Sequence, residues 1–169
     1  GRGMNTSPAT AAAFAEETFG HAELGDERRT RSLVAFAAGL MRRPAGRVTE
    51  VFKSAAKRER AHRLLENGAV TAVEVIVAMA RAVTVRIAGL SIVYAVVDGS
   101  SLTLADRRGR KDFGRVGAHR DGARGLKVIT AFAVERTGIP LGVLWQCYWA
   151  RQVRERRGTK RRDNLRRAT

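Results

Sequence analysis

Apolar positions along the chain follow two different periods, and the change falls near Gly89. Before it they recur every three or four residues, the repeat of a helix with one buried face. An Ala-rich segment from Ala11 to Phe19 makes a first short helix. Asp26 is placed to cap a second, in which Leu33, Phe36, Ala37, Leu40 and Met41 form the apolar stripe and Pro44 marks the end. A third helix over 53–67 turns Ala55, Ala56, Leu64 and Leu65 inward, leaves Lys53, Lys57, Arg58, Arg60 and Arg63 outside, and stops at Asn67-Gly68. Thr71-Ala72-Val73-Glu74 is a capping-box pattern, and Val73, Ile76, Val77, Ala80, Val83 and Ile87 share one stripe after it. Many of these residues are β-branched, but the box and the period favour a helix. Residues 11–88 therefore read as an all-helical unit.

Beyond Gly89 the pattern becomes that of strands. Ile92 to Val97 are apolar whichever way they point, so a strand there is expected to be covered on both faces and to lie inside a sheet. It ends on Asp98, and Gly99-Ser100-Ser101 is expected to let the backbone leave. A lone acid at the end of a buried strand must be paired, hydrated or metal-bound, because a bare buried charge is costly. An Asp capping its own Gly-Ser-Ser turn fits the same residues. Residues 106–124, rich in Gly and charge, read as a loop. Leu126–Val134 and Ile139–Tyr148 are two strands joined so closely that they must pair as an antiparallel hairpin. The fold class is thus α+β, with a helical unit at 11–88 and a sheet at 89–150. Residues 1–10, with Met4 as a plausible initiator, read as a disordered start. Arg and Lys make up about half of 151–169, which reads as a basic disordered tail.

Charge narrows the partner. The 169 residues carry 32 Lys and Arg against 16 Asp and Glu, a net charge of +16. That excess favours a polyanion, with nucleic acid first and an anionic membrane surface second. Arg28, Arg29, Arg31, Arg42 and Arg43 lie at the ends and polar side of the second helix with few balancing acids, a pattern suited to phosphate. Lys53, Lys57 and Arg60 add to it from the third. Glu74, Arg81 and Arg86 interrupt the apolar stretch from Val70 to Val97, so no clean membrane span is expected, and the N-terminus shows no signal-peptide pattern. A cytoplasmic location is the reading. Cys147 is the only cysteine, and His21, His62 and His119 show no ligand spacing.

Four motifs in order then carry a resemblance: Leu24-Gly25-Asp26-Glu27-Arg28-Arg29-Thr30; Ser54-Ala55-Ala56 with Ala61-His62-Arg63-Leu64-Leu65-Glu66-Asn67; Asp98-Gly99-Ser100-Ser101-Leu102; and Gly138-Ile139-Pro140-Leu141-Gly142-Val143-Leu144 with Trp149-Ala150-Arg151. From about Ala22 to Arg151 the chain resembles bacterial cut-and-paste transposases of the insertion-sequence-four (IS-four) family, transposon-five type. The resemblance implies a helical domain that binds transposon-end DNA, followed by a ribonuclease-H-like core with an Asp-Asp-Glu triad. Asp98 falls on the first triad carboxylate, hence on a Mg²⁺ ligand, and the basic residues of the second and third helices fall in the DNA-end-contacting region. The chain departs from the family at Gly99-Ser100, where a threonine is common, and at Ile129, where a histidine is.

The second Asp and the Glu lie much further along in such enzymes, and Asp106, Asp112, Asp121, Glu135, Glu155 and Asp163 do not replace them. Two-metal strand cleavage needs carboxylates that hold both ions, which one Asp does not do. The expectation is a transposase fragment, with only the first three antiparallel strands of the core, that binds double-stranded DNA at transposon ends and is inactive alone. A homodimer or a full-length transposase is a further expected partner, and a membrane or a small-molecule substrate is not. A short DNA-binding inhibitor of transposition and a basic RNA-associated protein are the alternatives.

Overall fold

The computed structural model of the protein describes residues 8–44, 46–106, 111–117 and 123–151. The expected disordered tail beyond Arg151 lies outside these residues, as does His119. Among the described residues helices come first and strands follow: α1 (Pro8–Phe19), α2 (Glu27–Arg42), α3 (Val48–Val51), α4 (Ala55–Glu66), α5 (Ala72–Ile87), then β1 (Val93–Thr103), β2 (Gly114–Arg115), β3 (Arg124–Glu135) and β4 (Pro140–Trp149). Helix α1 begins three residues earlier than the Ala-rich pattern suggests. Pro8 opens it, where a fixed φ and a missing N–H cost nothing. Residues 8–10 are therefore helical and not part of a disordered start.

The caps are where the sequence places them. The Asp26 carboxylate accepts the Arg28 N–H at 2.8 Å. The Ser54 hydroxyl accepts the Lys57 N–H at 3.3 Å, which starts α4 at Ala55 and leaves Lys53 outside the helix. Thr71 and Glu74 exchange backbone bonds as a capping box, the Thr71 N–H donating to Glu74 Oε2 at 2.8 Å and the Glu74 N–H to Thr71 Oγ1 at 3.3 Å. The single turn α3 was not expected from the pattern.

Two compact units divide the described chain. One runs up to Val97 and includes Thr130–Gln146; the other joins Asp98–Ile129 to the chain from Cys147. In the first, Ala22, Leu24, Leu33, Leu64 and Ala78 form a buried cluster, with Phe19, Phe36, Val70 and Val75 packed against it. Ala11, Ala15 and Thr18 supply a buried stripe on α1 at helical spacing. The Thr30 hydroxyl donates to the Ala22 carbonyl at 2.8 Å, fixing the 20–25 segment on α2. Arg86 on α5 fastens the β3–β4 hairpin to the helices. Its guanidinium donates to Glu17 Oε1 at 2.7 Å, to Thr18 Oγ1 at 2.8 Å and to the Leu141 carbonyl at 2.9 Å, and its centre lies 4.6 Å from the Phe14 ring centroid. Gly142 sits beside it with φ +135°, and a Cβ there would come within 2.7 Å of Val83 Cγ2. Only glycine meets both conditions without strain.

The four strands form one sheet, with β1 on one side of β3 and both β2 and β4 paired to β3. The Leu104 N–H donates to the Arg124 carbonyl at 2.9 Å, and Lys127 Nζ to Ser101 Oγ; the falling and rising numbers make β1 and β3 antiparallel. β4 returns along β3 as the expected hairpin, the Glu135 N–H donating to the Ile139 carbonyl at 2.8 Å and Gln146 Nε2 to Thr130 Oγ1 at 2.8 Å. The loop assigned to 106–124 contains β2, a two-residue strand in register with β3. The larger correction concerns β1. It was expected inside the sheet and covered on both faces, but among the described strands it pairs only with β3, and every residue from Tyr94 to Thr103 is exposed. An unbroken apolar run shows that both faces can be covered, not that they are. Nor does the strand end at Asp98, since it continues to Thr103. Gly99 has no positive φ, so it permits a turn without imposing one.

Candidate nucleic-acid interface

Of the side chains that charge singled out, four line one groove and the others do not. Arg42, Lys53, Lys57 and Arg60 line a groove of about 420 Å³ bounded by α2, α3 and the start of α4. Its floor is apolar, made by Phe36, Ala35, Ala38, Val51, Phe52 and Ala61, with the hydroxyls of Ser32 and Ser54 at the side. Among the described residues no carboxylate lines it. The Phe36 and Phe52 rings stack with centroids 5.6 Å apart and planes 19° from parallel. Gly39 makes that possible, because a Cβ on α2 at this point would meet the Phe52 ring at 2.6 Å.

The backbone between α3 and α4 is held in place by Arg58, which donates to the Phe52 carbonyl at 3.3 Å and the Lys53 carbonyl at 2.7 Å. The charge pattern marks Arg58 as an exposed helix residue; the structure gives it the task of orienting Lys53 and Phe52 at the groove. No sequence signal separates it from Arg60 two positions on, since the difference lies in the direction of its side chain.

The other predicted residues lie elsewhere. Arg28 and Arg31 are exposed at the first turns of α2, roughly 16–21 Å along the axis from Arg42 at 1.5 Å per residue. Arg31 lies 3.5 Å from Glu27, an exposed pair that contributes little. Arg29 is half-buried and donates to the Leu24 carbonyl at 2.8 Å. Arg43 caps the end of α2 and reaches the Glu50 carbonyl at 3.3 Å. The first turns of α2 carry arginines balanced by Asp26 and Glu27, and they are not part of the groove.

Asp98 belongs to the second compact unit. Its carboxylate is exposed and accepts the Ser100 hydroxyl at 3.1 Å, while Lys127 contacts the adjacent Ser101. Among the described residues no three His, Cys, Asp or Glu side chains gather to hold a metal ion. One carboxylate with a hydroxyl neighbour does not fit a two-metal site, which needs several oxygen ligands shared between the ions. No helix among the described residues is long and apolar enough to cross a membrane.

A groove lined by four cations and no described acid, on a helical unit whose α2, α4 and α5 starts are capped by side chains, suits an extended polyanion. Residues 11–70 match the family model described as transposase DNA-binding. That span runs from within α1 through α4 and ends just before the α5 cap, so it contains the whole groove. The match supports reading this region as a transposase DNA-binding domain, with DNA as its partner. No curated protein matches the chain.

Proposed function

We propose that the chain is the N-terminal part of an Asp-Asp-Glu transposase of the IS-four family, transposon-five type, and that the groove between α2, α3 and α4 holds the phosphate backbone of transposon-end duplex DNA. The observation that carries this reading is the four-cation, acid-free groove inside the span matched to transposase DNA binding. Phosphate contacts position a duplex; specificity for an end requires base-edge contacts as well, for which exposed Arg28 and Arg31 on the first turns of α2 are the candidates. The sheet is the beginning of a ribonuclease-H-like core, and Asp98 is its first carboxylate. A Mg²⁺ ion would take Asp98 as one ligand of a site completed by carboxylates that these residues do not supply. By itself the chain binds DNA and does not cut it.

The test pairs binding with cleavage. Lys57→Ala/Arg60→Ala should weaken binding of any duplex about tenfold or more and lower the slope of log affinity against log salt by about two, as loss of two phosphate contacts requires. Asp98→Asn should leave affinity unchanged, and no variant should nick or join DNA with Mg²⁺ or Mn²⁺. Unchanged affinity in the groove variant would sink the assignment of the groove. Metal-dependent cleavage lost in Asp98→Asn would sink the inactivity. Equal affinity for an RNA duplex of the same sequence would favour an RNA-associated protein instead.

A further inference from the structure

Strand β2 is only two residues long, yet it places two arginines directly opposite each other. Arg115 pairs in register with Arg124 of β3, and both are exposed. The next rung is bonded, with the Val116 N–H donating to the Ala123 carbonyl at 3.0 Å, while the Arg124 carbonyl faces the other way and accepts from Leu104. Arg115 and Arg124 therefore form the non-hydrogen-bonded kind of antiparallel pair, in which side chains on one face stand closest. Like charges in that position destabilise a sheet. A third arginine adjoins them, because the Arg151 backbone lies against Gly114 and its side chain is exposed.

Nothing described offsets this charge. None of the three forms an ion pair with a described carboxylate. One Arg124 nitrogen donates to the Phe113 carbonyl at 2.6 Å, which steadies the guanidinium and leaves its other donors for a ligand. Lys111, whose ammonium lies 5.6 Å from the Phe113 ring centroid, adds a fourth cation to the same strand end. Asp112 and Asp106 are the nearby acids in sequence, and Asp106 already accepts the Lys111 N–H at 3.0 Å.

We propose that the Arg115–Arg124 pair, with Arg151 beside it, is a second nucleic-acid contact in the Asp98-containing unit, taking a backbone phosphate between the two guanidinium groups. This rests on the reading of the chain as a DNA-binding protein but not on the groove. A phosphate with several acceptor oxygens suits planar guanidinium donors, and it turns the cross-strand repulsion into shared attraction. The pair thus costs stability in the free protein and supplies affinity in the complex.

That opposition makes the test decisive. In the full chain, Arg115→Ala/Arg124→Ala should lower the slope of log duplex affinity against log salt by about two and weaken binding at fixed salt, while the unfolding temperature stays level or rises. Arg115→Lys/Arg124→Lys, which keeps the charge, should retain most of the slope. An unchanged slope and affinity in the Ala variant would overturn the proposal. So would a fall in unfolding temperature that accounts for the lost affinity, since the pair would then be structural. Lys57→Ala/Arg60→Ala measured alongside separates the two sites: loss there alone leaves the groove standing and removes the pair, and loss in the pair alone does the reverse.

Discussion

Arg28 and Arg29 are neighbours in sequence with different tasks. Arg28 contributes its backbone N–H to the Asp26 cap and leaves its side chain in solvent, whereas Arg29 turns back and donates to the Leu24 carbonyl. Leu24 is 2 % exposed and belongs to the buried cluster of the helical unit, so Arg29 secures the turn that carries it. Arg29→Ala should therefore cost about 1–2 kcal/mol, the range for losing a charged donor on a part-buried carbonyl, and should leave the salt slope of DNA binding nearly unchanged. Arg28→Ala should leave the unfolding free energy within about 0.5 kcal/mol, as exposed substitutions do. Chemical denaturation together with a salt titration checks both, and a full unit of slope lost with Arg29 would show that it touches phosphate. The sequence shows that both residues are cationic. It does not show which guanidinium has found a carbonyl five residues back.

Among the elements, those whose boundaries rest on short-range chemistry are legible, and those whose burial rests on distant neighbours are not. Asp26, Ser54 and the Thr71–Glu74 box announce their helices because a cap is completed within three residues. The β3–β4 hairpin follows from two apolar runs joined by a turn too short for any other pairing. Strand β1 is the opposite case: its composition promises a covered position, but what covers a strand is set by other parts of a molecule. α3 escapes because one turn of four residues is too short to show a period. The caps also carry a pH dependence. Hydrogen bonding from Thr71 holds the Glu74 carboxyl below the ordinary range, and the Arg81 guanidinium does the same to Glu23, tying α5 to the 20–25 segment. Their folded-state values are depressed, so their stabilisation is complete above the unfolded value of about 4.3 and is lost as pH falls through the folded values. The unfolding temperature should drop as pH falls below about 4.3, and Glu74→Gln, which keeps a capping side chain but cannot ionise, should flatten that drop. An acid profile identical in Glu74→Gln and wild type would remove Glu74 from the account.

At the scale of the whole molecule, a net charge of +16 meets an exposed apolar strand. Tyr94, Val96, Val97 and Leu102 on β1 are 42–64 % exposed, and β1 is paired along one side only among the described strands. Charge keeps such chains apart at low salt, and its screening removes that protection. The protein should therefore associate as salt rises even as its affinity for DNA falls. Val97→Lys, a charge placed on the open edge, should reduce that association in light scattering without lowering the unfolding temperature. Association that persists unaltered would place the contact elsewhere. Arg86 carries a different lesson about how such a protein can be divided or inherited. Its side chain is only 16 % exposed, and one of its acceptors, the Leu141 carbonyl, belongs to a strand more than fifty residues downstream. A gene fusion or an expressed fragment that keeps the DNA-binding helices but omits the β3–β4 hairpin would strip that donor of its acceptor and uncover Val83, which is fully buried in the intact chain. The helices are therefore poorly portable: a recombination joint placed at Gly89, where sequence suggests a natural seam, would cut through a shared support.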